Sequence, residues 1–130
     1  MHGGRWNSPG TPVVYTAGSL SLAMLEVMVH LDDYATLVDS YSYIPVEMPQ
    51  NLMTTLVRAP AGWRSNPPRA ASQRAGDAWA ASLRSAVLSV PSVLAPDERN
   101  YLLNPRHPDF GKISVGKPQR LPFDRRLVKR

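Results

Sequence analysis

The sequence predicts an α+β fold: a single domain with small mixed sheets and two main helices. Three observations carry that prediction. Strand-like and helix-like runs follow one another in the order β-α-β-β-α-β, then a loop and further strands, which is not the regular alternation of a parallel α/β protein. Thirteen prolines and eight glycines keep those runs short. A chain of 130 residues that is 43% hydrophobic and 19% charged can bury one core without staples.

Each element has its own signal. Pro12 to Thr16 is β-branched and aromatic and reads as a strand. Gly18-Ser19 opens a helix that runs to about Leu31, with Ser19 as N-cap. Tyr41 to Val46 and Leu52 to Arg58 are β-prone, and Pro60 to Pro68 is a loop. Ala70 to Ser85 is an alanine-rich helix in spite of Gly76, and Ala86 to Val90 is a strand stopped by Pro91. Pro96-Asp97-Glu98 reads as the start of a helical turn carrying Tyr101-Leu102-Leu103. A loop follows at Asn104 to Asp109. The apolar residues interleaved in the basic segment 112–130 suit an edge strand belonging to the same domain.

Charge and composition narrow the function. Residues 112–130 hold seven bases and one acid, a balance of +6, whereas residues 1–111 are close to neutral at −1. The pI near 10.0 therefore belongs to the tail. That tail could bind nucleic acid or be an edge strand guarded by charge. The absence of cysteine excludes disulfides, a thiol nucleophile and Cys-ligated metals, and three histidines give no set with metal-ligand spacing. No apolar run approaches membrane length, and the N-terminus has no signal-peptide pattern, so a cytoplasmic protein without a membrane partner is expected.

One carboxylate stands out. Glu26 is the single charge in the apolar stretch from Leu20 to Val29. A helix apolar all round is normally buried, with Leu20, Met24, Val27 and Leu31 forming its deepest stripe here. A carboxylate in such a setting needs a partner. It is either half of a structural ion pair or a cleft acid. Arg5, after Gly3-Gly4, is the partner to consider, since arginine also gives two-pronged phosphate contacts. Trp6 beside it could shelter a ligand or fill core, and Tyr15 could line a cleft or pack. His30 falls on the Glu26 face. Ser92, after a proline, is a turn residue or a hydrogen-bonding group. Asn100, Asn104, His107 and Asp109 read as one hydrogen-bonded loop supporting the cleft.

At the level of whole blocks, Gly3-Gly4-Arg5-Trp6-Asn7-Ser8-Pro9-Gly10-Thr11-Pro12-Val13-Val14-Tyr15 and Ala23-Met24-Leu25-Glu26 resemble the opening of the RES-domain toxins. Val90-Pro91-Ser92, Asn100 to Phe110 and Phe123-Asp124-Arg125-Arg126-Leu127 resemble its later blocks. The resemblance implies a fold related to ADP-ribosyltransferase toxins and cleavage of NAD⁺ at the nicotinamide–ribose bond. NAD⁺ is then a substrate, with no bound cofactor or metal and with inorganic phosphate as one candidate co-substrate. It places the family's arginine at Arg5, its tyrosine at Tyr15, its glutamate at Glu26 and its serine at Ser92, with Trp6, Asn7, Asn100, Asn104 and His107 in support. It also implies an Xre-type helix-turn-helix antitoxin as partner, a homodimer within that complex, and contact with nucleic acid only through the antitoxin. Against the family pattern the chain is expected to be N-terminally shortened, lacking a strand. Two other classes follow from the sequence: an inactive relative that serves as an antitoxin-binding module, and a nucleic-acid binder that uses the tail.

Overall fold

The fold is described from a computed structural model, for residues 3–29, 41–121 and 124–128. Its centre is a four-stranded sheet in the order β1-β6-β5-β4, from β1 (Val14–Ala17), β4 (Met53–Thr55), β5 (Val87–Pro91) and β6 (Arg99–Leu103). β6 pairs antiparallel with both β1 and β5, and β4 runs parallel to β5. Two small ribbons complete the β structure. They pair β2 (Ser42–Tyr43) with β8 (Gln119–Arg120), and β3 (Val46–Glu47) with β7 (Ser114–Val115). The helices are α1 (Leu20–Val29) and α2 (Ala70–Ser82).

Both sheet faces are covered. Leu88, Val90 and Leu102 pack with Trp6, Trp79 and Ala80, while Val87 and Leu103 pack with Leu52, Ala86 and Ile113. Residues 99–103 form β6 rather than a helical turn. Only Tyr101-Leu102-Leu103 of β6 is apolar, a run too short to show whether its period is that of a strand or of a helix. The helix-start signal at Pro96-Asp97-Glu98 closes a turn instead, with the Glu98 amide donating to the Ala95 carbonyl at 2.8 Å.

Two further expectations change. Ser19 does accept the Leu22 amide at 3.1 Å, as an N-cap should. Yet α1 is not buried all round: Leu22 is buried, while Leu20, Leu25 and Val29 are exposed. Leu22 and Glu26 lie on the side toward the sheet, and Met24, Val27 and Met28 meet Leu121 on another side. Leu31 and His30 lie outside the described residues. The basic tail is not one strand. It supplies the two-residue strands β7 and β8, then a 3₁₀ turn at Arg125–Val128. No helix among the described residues is long and apolar enough to cross a membrane.

Helix α2 ends at Leu83, which takes the left-handed conformation at φ 54°. Gly76 explains its own presence in the middle of α2. A Cβ there would lie 1.6 Å from the Trp6 carbonyl oxygen, so the helix and the Trp6 backbone touch directly. We expect Gly76→Ala to lower the unfolding free energy by about 1–3 kcal/mol, in spite of alanine's better helix propensity. Urea unfolding checks this, and an unchanged midpoint would refute the close approach.

Candidate functional site

The site is built on the face of α2 that carries Ser72, Gln73, Gly76 and Asp77, spaced to lie side by side on one helical surface. Ser72 Oγ donates to the Arg5 carbonyl at 2.7 Å, and Gln73 Nε2 donates to the Gly4 carbonyl at 3.0 Å. Asp77 Oδ1 accepts the Ser8 amide at 2.9 Å. One helix thus fixes the segment from Gly4 to Ser8. Asn7, almost fully buried, ties that segment to itself. Its Oδ1 accepts the Gly4 amide at 2.9 Å, and its Nδ2 donates to the Thr11 carbonyl at 2.8 Å.

Tyr15 joins the segment to the sheet. Its hydroxyl donates to Asn7 Oδ1 and accepts the Trp6 amide at 3.1 Å. A Cβ on Gly4 would lie 2.6 Å from that hydroxyl, so the second glycine of the doublet is a steric requirement. Loss of hydration at the buried hydroxyl raises the Tyr15 pKa. The Trp6 amide and the Arg5 charge oppose that rise, and the Asp77 charge adds to it. The residue is nevertheless 44% exposed. The hydroxyl is tied down while the body of the ring stays open.

Arg5 is held by backbone. Its Nη1 donates to the carbonyls of Trp63 and Ser65 at 2.7 and 2.8 Å. That uses two of the five guanidinium hydrogens. Its Nε and Nη2 have no acceptor among the described residues, so one two-pronged edge of the fork is unused. Trp6 resolves to core: it is buried and stacked on Trp63, with ring centroids 6.0 Å apart and planes at 27°.

Glu26 is half-buried on α1, and its Oε1 accepts a hydrogen bond from Asn100 Nδ2 at 3.3 Å. Among the described residues no arginine forms an ion pair with Glu26, and Arg5 makes no direct contact with it. The other amide atom, Asn100 Oδ1, is buried without a partner. Sheet register connects the two halves of the site. Tyr15 stands opposite Leu102, and Ala17 opposite Asn100. Tyr15 and Asn100 are therefore diagonal neighbours on one face, about 7–8 Å apart. Asn100 in turn stands opposite Val90, two residues before Ser92.

Ser92 is fully buried in the turn between β5 and β6. Its Oγ accepts the amides of Leu94 and Ala95, both at 3.2 Å. Asn104 and His107 belong elsewhere, which corrects the expectation of a single supporting loop. Asn104 Nδ2 donates to the Ala80 carbonyl at 3.0 Å. His107 Nδ1 accepts the Asp109 amide, leaving Nε2 to donate to the Leu83 carbonyl at 2.9 Å. They hold the end of α2 against the far end of β6, four residues or about 13 Å along the strand from Asn100. A cavity of about 380 Å³ lies at the opposite sheet edge, between β4 and α2, and shares no lining residue with Arg5, Tyr15, Glu26 or Ser92. No cluster of three metal-ligating side chains occurs among the described residues.

Sequence reading missed Trp63 and Arg64. The Arg64 guanidinium lies over the Trp63 ring, 6.0 Å from its centroid, and donates to the Val93 carbonyl at 3.4 Å. The signal was present as an aromatic–arginine pair inside a proline-bounded loop.

Comparison with known proteins now adds to the geometry. The sequence profile of the RES domain matches residues 1–124. A protein of Sphingobium sp. (strain YBL2) named Prs ADP-ribosylating toxin is 38% identical over 133 aligned positions, covering 98% of this chain and 82% of that protein. A protein of Yersinia enterocolitica named Toxin Res is 41% identical over 128 positions, covering 97% of this chain and 84% of that protein. A Toxin Res of Photorhabdus laumondii is 38% identical over 133 positions, covering 99% and 84%.

Proposed function

The chain belongs to the RES domain family, and from that membership we propose that it is an ADP-ribosyltransferase-like toxin that breaks the nicotinamide–ribose bond of NAD⁺. The observation that carries this reading is a sheet face that carries both the open Tyr15 ring and Asn100, the residue that holds the Glu26 carboxylate. Glu26 is held by Asn100, which lies on the same sheet face as Tyr15, and the Tyr15 hydroxyl is anchored to the Arg5 segment. The name of one relative, Prs ADP-ribosylating toxin, supplies the reaction class, because ADP-ribosylation draws its ADP-ribosyl group from NAD⁺.

The chemistry asks little of the protein. The bond joins ribose to a pyridinium, so nicotinamide departs as a neutral molecule and no acid has to protonate it. This differs from glycoside hydrolysis, where a second carboxyl group serves the departing oxygen. One anion near the sugar stabilises the oxocarbenium-like transition state. Glu26 takes that role and holds a ribose hydroxyl. The Tyr15 ring packs on the nicotinamide; its hydroxyl is already engaged with Asn7 and Trp6, which argues against ribose bonding. The free Nε–Nη2 edge of Arg5 takes a phosphate of the dinucleotide. Ser92 is fully buried with its oxygen holding the Leu94 and Ala95 amides, so its part is to fix the turn beside the site rather than to touch the substrate as the resemblance implied.

An enzyme that drains NAD⁺ needs restraint, and relatives named Toxin Res fit a toxin–antitoxin pair. The partner proposed for this chain is an Xre-type helix-turn-helix antitoxin, with a homodimer in the complex. The test is nicotinamide release from NAD⁺ by the purified chain, with and without inorganic phosphate. Release only with phosphate identifies phosphorolysis, release in its absence identifies hydrolysis, and label carried to a protein identifies transfer. A folded chain that releases no nicotinamide under any of these conditions overturns the proposal.

A further inference from the structure

We propose that Arg64 is a second cationic arm beside Arg5 that binds the pyrophosphate of the dinucleotide; this rests on the reading of the site as an NAD⁺ site. The two carbonyls gripped by Arg5 Nη1 belong to Trp63 and Ser65, the residues on either side of Arg64. The Arg64 backbone therefore sits directly against the Arg5 guanidinium. The Arg64 side chain crosses the Trp63 ring and reaches the carbonyl of Val93, one residue beyond Ser92. One exposed arginine thus spans the distance from the Arg5 segment to the Ser92 turn.

The surrounding charge points the same way. Residues 48–76 contain Arg58, Arg64, Arg69 and Arg74 and no acid. The Arg69 side chain lies against Gly62 in the same loop, 3.0 Å from where a Cβ would stand. Among the described residues neither Arg5 nor Arg64 forms an ion pair; neutral carbonyls fix both without cancelling their charge. Two guanidinium groups without a carboxylate partner, carried on adjoining segments, attract an anion that lies between them. Two linked phosphates match two guanidinium groups, each able to grip a phosphate with two parallel bonds.

The experiment measures binding of ADP-ribose, which has the pyrophosphate but no nicotinamide, to the full chain by calorimetry. Wild type, Arg64→Ala and Arg64→Lys are compared. Arg64→Ala is expected to weaken ADP-ribose binding about tenfold and to raise the KM for NAD⁺ by a similar factor, with kcat within about twofold. Arg64→Lys falls in between, and the unfolding midpoint stays unchanged in both. The inference is overturned if wild type does not bind ADP-ribose. It is equally overturned if Arg64→Ala binds it as well as wild type, or loses affinity only for an oligonucleotide or an acidic peptide. Nicotinamide release with an unaltered Arg64→Ala KM removes this arm alone. Arg64-dependent ADP-ribose binding without nicotinamide release removes the catalytic reading and leaves the arm standing.

Discussion

Glu26→Gln should slow nicotinamide release by about a hundred- to a thousandfold while leaving the protein folded. The size follows from charge. A carboxylate about 4 Å from a developing positive charge, at an effective dielectric near 20, contributes about 4 kcal/mol. That corresponds to roughly three orders of magnitude in rate. Glutamine keeps the shape of the side chain and an oxygen to accept from Asn100 Nδ2, so the hydrogen bond at 3.3 Å survives and only the charge is lost. Because the missing interaction exists in the transition state, the loss should fall on kcat rather than KM. Initial rates across NAD⁺ concentrations, with a denaturant melt as control, decide the matter. A glutamine variant with wild-type kcat would remove Glu26 from the chemistry.

Much of the scaffold was legible because its signals are local. Ser19 caps α1 and Pro91 ends β5; the run from Tyr41 to Val46 is β structure as expected, but split into β2 and β3 by their pairing with different partners. What escaped were features fixed by distant partners. β6 was hidden because only three of its residues are apolar and what makes them a strand is pairing with the distant β1 and β5. The apolar sequence of α1 suggested full burial, yet Leu20, Leu25 and Val29 are exposed. Gly76 looked like a flaw in a helix until the Trp6 carbonyl was found against it.

The candidate site divides along the same line. Gly3-Gly4-Arg5-Trp6-Asn7, Tyr15 and Glu26 stand out by residue type and order, which is also why the family likeness was visible. The grip on Arg5 was not, because it comes from the carbonyls of Trp63 and Ser65, and backbone acceptors leave no mark on residue identity. The same limit hid the bond from Arg64 to the Val93 carbonyl. Asn100, Asn104 and His107 are close in sequence, but an extended strand carries them to opposite ends of the sheet.

Arg5 can be separated into its two duties by substitution. Its Nη1 anchors the loop of residues 60–68, and its Nε–Nη2 edge is the part that faces a phosphate in the proposed complex. Lysine can donate to the Trp63 and Ser65 carbonyls but cannot present a planar fork. Arg5→Lys should therefore keep stability within about 1 kcal/mol of wild type. Its nicotinamide release at low NAD⁺ should fall by about ten- to a hundredfold, the cost of one two-pronged charged contact. Arg5→Ala loses the anchor as well. Two hydrogen bonds from a charged donor disappear, so its unfolding free energy should drop by about 2–3 kcal/mol, and its activity by about a hundred- to a thousandfold. Urea midpoints and kcat/KM measured on the same preparations separate the duties. A lysine variant as active as wild type would eliminate the fork, and an alanine variant of unchanged stability would eliminate the anchor. If both drop in activity while only alanine loses stability, one guanidinium is both a brace for the loop and a ligand for the phosphate.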